Sequence, residues 1–525
     1  MFIFTIRGIA RMPYDYTQEA KNSVRHLVLS HAVNHLTVDR SRSCCVPRTY
    51  VRRVIDYFLQ QDPMEPCYKE AQKIEQNYII HWEALHDAII GHRNPSELSV
   101  CYLSGPQPQN DFEKLISLGV LPQNIWAFEN DRKTYLQAVG QYMNVSFPQP
   151  KIIKMPIEQF FCHTPKKFDI VYIDACGSIW SSQHALRCVS SLLYYQRLQP
   201  LGVLITNFSK PDITKDKVLQ EYTKMLTLYQ IFKETPNIRL ACVDNILQIK
   251  GAEDIYRKIY SNFNEYYGEF IASLISDLAA IIIPIMRFGE LAPFSNLFSE
   301  KELSECNNHV ELDMINRITH NSICRWLLTL EWLTQYPQKT GLFSTEKLHV
   351  MGDLVGIGGS REKLVRGIKL FTWLKEGKLE LDHELNSIQS FFDSGNNLYQ
   401  FLDRCSSSLF FDVVINQLTY PMHSNIEQYR SYQYCAKQTD MFTDVTVLDE
   451  CRYLYEWLPA VHQMQNAMRN KSWQYVFRFS LDALVKQRMQ YNNEFFFQGS
   501  VISKNEKGFT AKERAKRVEI GGGML

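Results

Sequence analysis

The 525-residue sequence contains no Cys-x-x-Cys pair. Its 13 cysteines are an odd number and are scattered, with Cys44-Cys45 the one adjacent pair. This spacing argues against a zinc ribbon and a disulfide framework, and it suits a reducing compartment. An excess of charge of one sign is also missing. Lys and Arg total 57 and Asp and Glu 56, so the formal net charge is +1. There is no global electrostatic footprint for nucleic acid. Long hydrophobic runs are absent too. The most apolar stretch, Ile271 to Met286, is interrupted by Ser273, Ser276, Asp277 and Pro284. It is too short and too polar for a comfortable span, and it reads as a buried helix ending near Pro284. The opening Met1-Phe-Ile-Phe-Thr-Ile6 is too short for a secretory apolar region, and no small-residue cleavage site follows. The expected location is the cytoplasm, with no membrane partner.

Several glycine motifs are absent. There is no G-x-G-x-x-G and no Walker A loop, which disfavours a pyrophosphate cradle. There is no G-x-S-x-G elbow, which disfavours serine hydrolase chemistry. No repeat of fixed period is present, so a solenoid is not expected.

What is present centres on Leu98 to Gly251. Four short apolar runs end in polar or small residues: Leu98 to Gly105, Asn124 to Glu129, Phe168 to Gly177 and Pro200 to Asn207. Helix-like segments separate them. That rhythm predicts an α/β fold, a doubly wound, mostly parallel sheet with its ligand at the carboxyl ends of the strands. Strand one is Ser99 to Leu103, and Gly105 lets the loop after it turn tightly. Strand two is Asn124 to Phe128. Glu129 follows it, some twenty residues past the first turn, where a carboxylate accepts ribose hydroxyls. An exposed carboxylate near the next helix is the alternative reading. Strand three is Lys151 to Lys154, after which Ile157 and Glu158 open a short helix. Strand four is Phe168 to Ile173, with Asp174 just past its end. A helix is expected from Ser182 to Leu198 and strand five from Gly202 to Thr206. Ile238 to Ile249, with Asp244-Asn245 as a turn, reads as a closing hairpin.

On these residues the chain resembles the class I S-adenosylmethionine-dependent methyltransferases, whose fold is Rossmann-like. In that family the first loop wraps the methionine part of the cofactor, and an acidic residue after strand two binds the ribose. The turn after strand three meets the adenine, and the motif after strand four faces the substrate. An L-x-P-G-G turn leads to strand five, and an antiparallel pair ends the sheet. The resemblance implies S-adenosyl-L-methionine as cofactor, bound by Ser104, Gly105, Glu129, Ile157 and Glu158. It implies Asp174 as the catalytic residue that orients a nitrogen nucleophile and takes up its proton. Cys176, Gly177 and Ser178 would meet the substrate. Asp174-Ala-Cys-Gly-Ser178 resembles the D-P-[FY]-G-[ST] element of tRNA guanine dimethyltransferases, with Ala175 in place of the proline and no aromatic residue. The first loop, Tyr102-Leu-Ser-Gly-Pro-Gln-Pro108, keeps one glycine of the family's [DE]-x-G-x-G-x-G and lacks its leading acid.

Around this core the expected organisation is an N-terminal helical cap over 1–95, the methyltransferase-like domain over 96–251, a mainly helical region over 252–498 and a flexible basic tail over 499–525. Tyr16 to Val38 has apolar residues at helical spacing. His31 and His35 lie one turn apart within it, without a third ligand, so no metal is expected. Arg40 to Arg53 is the most basic N-terminal stretch. Arg48 and Arg52 share a helix face that suits phosphates or a solvated surface. Gly356-Ile-Gly-Gly-Ser-Arg361 precedes a helix and reads as a turn capped by Ser360. The resulting expectation is a methyltransferase acting on a macromolecule, RNA or another nucleic acid first, with a protein partner possible through the helical C-terminal region. A non-catalytic, methyltransferase-like scaffold is the alternative.

Overall fold

Phe168-Asp-Ile-Val-Tyr-Ile-Asp174 is a strand whose first six residues are buried. Ile170 and Tyr172 enter one apolar core, whereas Phe168, Val171 and Ile173 enter another. Successive side chains of a strand point to opposite faces, so apolar residues on both faces demand cover on both sides. The computed structural model supplies that cover. It describes residues 19–143, 151–175, 177–181, 185–234, 251–291, 360–375, 415–436, 438–460 and 513–521, with Trp326 and scattered positions between 463 and 483.

Among the described residues nine strands form one sheet. They are β1 (Val100–Leu103), β2 (Ile125–Phe128), β3 (Lys151–Ile153), β4 (Phe168–Asp174), β5 (Leu198–Ser209), β6 (His423–Ser424), β7 (Arg430–Ala436), β8 (Thr439–Asp449) and β9 (Val518–Ile520). The order is β3-β2-β1-β4-β5-β8-β7-β9, with β6 against β8. Pairs among β1 to β5 are parallel. β8 runs antiparallel to β5, β6 and β7, and β9 joins β7 in parallel. The architecture is therefore α/β with a mixed, mostly parallel sheet.

One face of the sheet is covered by α1 (Glu19–Leu36), α2 (Tyr50–Leu59), α3 (Gln76–Ile90) and α4 (Gln109–Ser117), with Tyr142 of α5 (Arg132–Tyr142) in the same core. The other is covered by α6 (Ile157–His163), α7 (Ala185–Tyr194), α8 (Asp216–Glu234), α9 (Ala252–Ser261) and most of α10 (Phe263–Gly289). A further helix, α11 (Ser360–Lys375), packs on α10. The N-terminal helices are thus one wall of the body. Val24, Val28, Leu29, Ala32, Val33 and Leu36 of α1 are buried, and the helix lies on β5, β7 and β8. Burying each Val- or Leu-sized side chain contributes roughly 1.5–3 kcal/mol.

Four expectations are corrected. The strand beside β5 is β8, antiparallel to it and to β7; the closing hairpin expected at Ile238–Ile249 lies outside the described residues. The sheet therefore does not close at Gly251, and the stretch read as mainly helical supplies three of its strands. The basic tail is tied down in part: β9 pairs with β7, and Arg514 donates to Ser273 Oγ at 2.9 Å and to Ser276 Oγ at 3.2 Å. The helix before β5 ends at Tyr194, and Leu198 already pairs with Phe168. The register shifts between Phe168 and Ile170, and a Cβ on Gly202 would meet Leu198 Cγ at 2.6 Å, so only glycine lets Leu198 fold in there. Finally, α10 runs through Pro284 to Gly289. A π turn over Leu278–Ile282 precedes the proline, whose ring and missing N–H disturb a regular helix. Among the described residues α10 alone is long and apolar enough to cross a membrane, with mean hydropathy 1.9, but 94% of that window is buried.

Candidate functional site

The carboxyl ends of β1, β2, β4 and β5 meet at one edge, where the strand order reverses between β1 and β4. Gly105 has φ +57°, a left-handed conformation that suits glycine, and a Cβ there would meet nothing within 4 Å. The loop is held from below: Tyr102 OH donates to Pro108 O at 2.8 Å and also meets Tyr142 OH. Ser104 is buried, and its N–H donates to Phe128 O at 3.0 Å. These ties fix the loop without the missing glycines.

Glu129 follows β2 and donates its N–H to Ile153 O at 3.1 Å. Its carboxylate accepts the Asp131 N–H at 2.8 Å, and burial pushes its pKa up. Capping of α5 falls to Asp131, which accepts the Thr134 N–H at 2.8 Å. Two expected cofactor residues are turned elsewhere. Ile157 is 2% exposed and packs in the core with Phe161. Glu158, in the first turn of α6, accepts from Cys188 Sγ of α7 at 3.7 Å.

Asp174 lies at the end of β4, paired in register with Asn207. Asn207 Nδ2 donates to one carboxylate oxygen at 2.7 Å, and Lys21 Nζ of α1 lies 2.9 Å from the other. Asn207 is itself fixed: its Nδ2 also donates to Tyr434 OH at 2.9 Å, and its Oδ1 accepts from Thr443 Oγ1 at 2.8 Å. A second pair, Arg25 and Asp111 at 2.8 Å, lies alongside and ties α1 to α4. Burial alone would raise the Asp174 pKa. The Lys21 ammonium, then the Asn207 amide and Arg25, outweigh it and hold the carboxyl below its ordinary value. This group is a fixed, ionised acceptor and a weak base. Ser178 Oγ and Tyr222 OH are 2.9 Å apart, and Gly177 O accepts the Ser209 N–H at 3.0 Å. Cys176 lies outside the described residues.

Sequence reading missed Lys21, Asn207, Tyr434 and Thr443. Asn207 carried a signal, as the polar residue that ends the Gly202 to Thr206 apolar run. Lys21 carried none, because its partner is 153 positions away along the chain.

Other expected features are accounted for locally. Arg48 pairs with Asp87 at 2.8 Å and Glu83 at 3.3 Å, and Arg52 pairs with Glu83 at 3.0 Å. That face is therefore neutralised within the chain. Cys45, Asp449 and Cys451 bring potential ligand atoms within 4.8 Å of one another. The Asp449 carboxylate, however, accepts from Cys45 N, Cys451 N and Tyr453 OH at 2.7–2.8 Å, and burial pushes both thiols up. The cluster is a hydrogen-bonded tie between the N-terminal segment and β8.

His31 and His35 stack with ring centroids 5.9 Å apart, and neither nitrogen of buried His35 has a hydrogen-bond partner. Burial, then the His31 and Arg430 charges, pushes His35 down to about 4. Between about pH 4 and the ordinary value near 6.5 the unfolded state binds the extra proton, so stability falls as pH drops through that window. The expected loss from pH 7 to pH 5 is about 2 kcal/mol. Urea unfolding at both pH values checks this. His35→Leu should reduce that difference, leaving the smaller share of His31 and His86, which burial also pushes down, and an unchanged difference would refute the assignment.

The sequence matches no protein-family model and no curated protein.

Proposed function

We propose that the chain is a cytoplasmic, Rossmann-like class I S-adenosylmethionine-dependent methyltransferase. Its acceptor is a nitrogen of a macromolecule, with nucleic acid the first class to test. The run β3-β2-β1-β4-β5 follows the doubly wound order, in which ligands bind where the order reverses. The observation that carries the reading is Asp174, an ionised carboxylate fixed by Asn207 and Lys21 beside that reversal. The open space at Gly105 and the partly buried Glu129 carboxylate suit the methionine and ribose ends of the cofactor. When bound, S-adenosylmethionine supplies an electrophilic sulfonium methyl. The chain's part is to hold the acceptor in line and exclude water. Asp174 accepts an N–H of the acceptor and orients its lone pair. Its lowered pKa makes it an orienting group rather than the final proton acceptor, a revision of the role expected from sequence; the neutral thioether is the leaving group, and the proton of the methylated nitrogen passes to solvent on product release. Ile157 and Glu158 have no part in this reading.

The Lys21–Asp174 pair also favours a second reading, a non-catalytic scaffold in which α1 occupies the acceptor position. Incubation of the full chain with methyl-labelled S-adenosylmethionine and separate RNA, DNA and protein fractions separates the two. Label in a macromolecular fraction is expected. Cofactor binding without label in any fraction would favour the scaffold.

A further inference from the structure

At the opposite edge of the sheet, a cavity of about 310 Å³ opens between the N-terminal helices and the start of β5. Leu201 in its wall is six residues before Asn207, so it lies roughly 20 Å from the Asp174 edge. Arg40, Arg93 and Arg452 line it, and Asp449 is the one carboxylate among the lining residues. Asp449 is already covered by its three donors, and burial pushes its carboxyl toward the neutral form. Arg93 uses one nitrogen on Asp169 at 2.7 Å. Arg452 lies 3.1 Å from Glu456 and 4.0 Å from Glu450. Arg40 differs from both. Its Nε donates to Ile90 O at 2.7 Å and its Nη1 reaches Leu36 O at 3.5 Å, and it forms no ion pair among the described residues. Burial, and then the Arg93 charge, press against its protonated form. A partly buried guanidinium that shares a concave site with two others is stabilised by an anion bound there.

We propose that this cavity binds a diphosphate group, either the free anion or part of a nucleotide, held by Arg40, Arg93 and Arg452. Guanidinium forks match phosphate oxygens in pairs, and three of them suit more charge than one carboxylate carries. The volume is at the small end of ligand sites, enough for such a group.

Calorimetric titration of the full chain with pyrophosphate, and separately with ADP, tests the site. Saturable binding is expected. Arg40→Gln and the more exposed Arg452→Gln should each weaken it about tenfold to a hundredfold, the loss for a hydrogen bond to a charged group. Arg48→Gln, outside the cavity, should leave it unchanged. Equal affinities would identify the diphosphate alone as the ligand. Tighter ADP binding with the same arginine dependence would identify a nucleotide. No saturable binding of either at millimolar concentration, or affinity unchanged in both cavity variants, would overturn the proposal.

Discussion

Asp174→Asn is expected to lower methyl transfer at least about a hundredfold, about 2.7 kcal/mol in the barrier, while leaving cofactor affinity within about threefold. Asparagine keeps the size of the side chain but loses the charge that, in the proposed reading, accepts an N–H from the acceptor. It also presents an amide to Lys21 and Asn207 at a position where both now donate to a carboxylate. Ser104, Gly105 and Glu129, the cofactor residues of the proposed reading, follow β1 and β2, which is why affinity and turnover should separate. Lys21→Met gives a second readout. Removing the leading downward pull on the Asp174 pKa shifts the acid limb of the pH–rate profile to higher pH. Steady-state transfer assays over pH check both effects. Turnover unchanged in Asp174→Asn would remove Asp174 from the reaction.

Arg517→Met is expected to destabilise the fold by about 3–5 kcal/mol. Arg517 Nη2 lies 2.7 Å from Asp444 Oδ1 and also reaches Gly268 O at 3.2 Å, and its Nη1 donates to Tyr432 O at 3.0 Å. Asp444 is fully buried, and among the described residues Tyr429 OH, at 2.6 Å, is the donor to its carboxylate that would remain. Removing the guanidinium would strand a charge in the interior and release β9 from β7. The double variant Arg517→Met/Asp444→Asn should recover part of the loss, because no unpaired charge remains. Exposed Lys516→Met should change stability by less than about 0.5 kcal/mol. Denaturant midpoints measure all three. A small effect of Arg517→Met would show that the C-terminal strand is dispensable.

The parallel half of the sheet was legible in the sequence because its strands hold continuous apolar runs, largely buried in β1, β2, β4 and β5. Phe168 to Asp174 could hardly be anything else. The antiparallel half was missed although β8 carries the β-branched run Val445-Thr-Val447, followed by Leu448. It lies more than 200 residues beyond β5, inside a stretch dominated by helical spacing, and no local pattern announces so distant a pairing. The same holds for the site. Asp174, Glu129 and Gly105 could be picked out because each lies at or just past the end of a strand. Lys21, Tyr434 and Thr443 reach the edge from remote elements, through α1 lying across the sheet and through the β7–β8 pair. The cavity's Arg40 was read only as part of the basic stretch that also holds Arg48 and Arg52. The fold divides them, pairing the latter two with Glu83 and Asp87 and leaving Arg40 to the cavity.

The most direct measurement of the central claim is calorimetric titration of the full chain with S-adenosylhomocysteine, the product form of the cofactor, beside Glu129→Ala. The account predicts saturable one-site binding that the substitution weakens about tenfold or more, the loss of hydrogen bonds to a carboxylate. Absence of binding to the wild-type chain, or binding indifferent to Glu129→Ala, would contradict a cofactor site at this edge of the sheet.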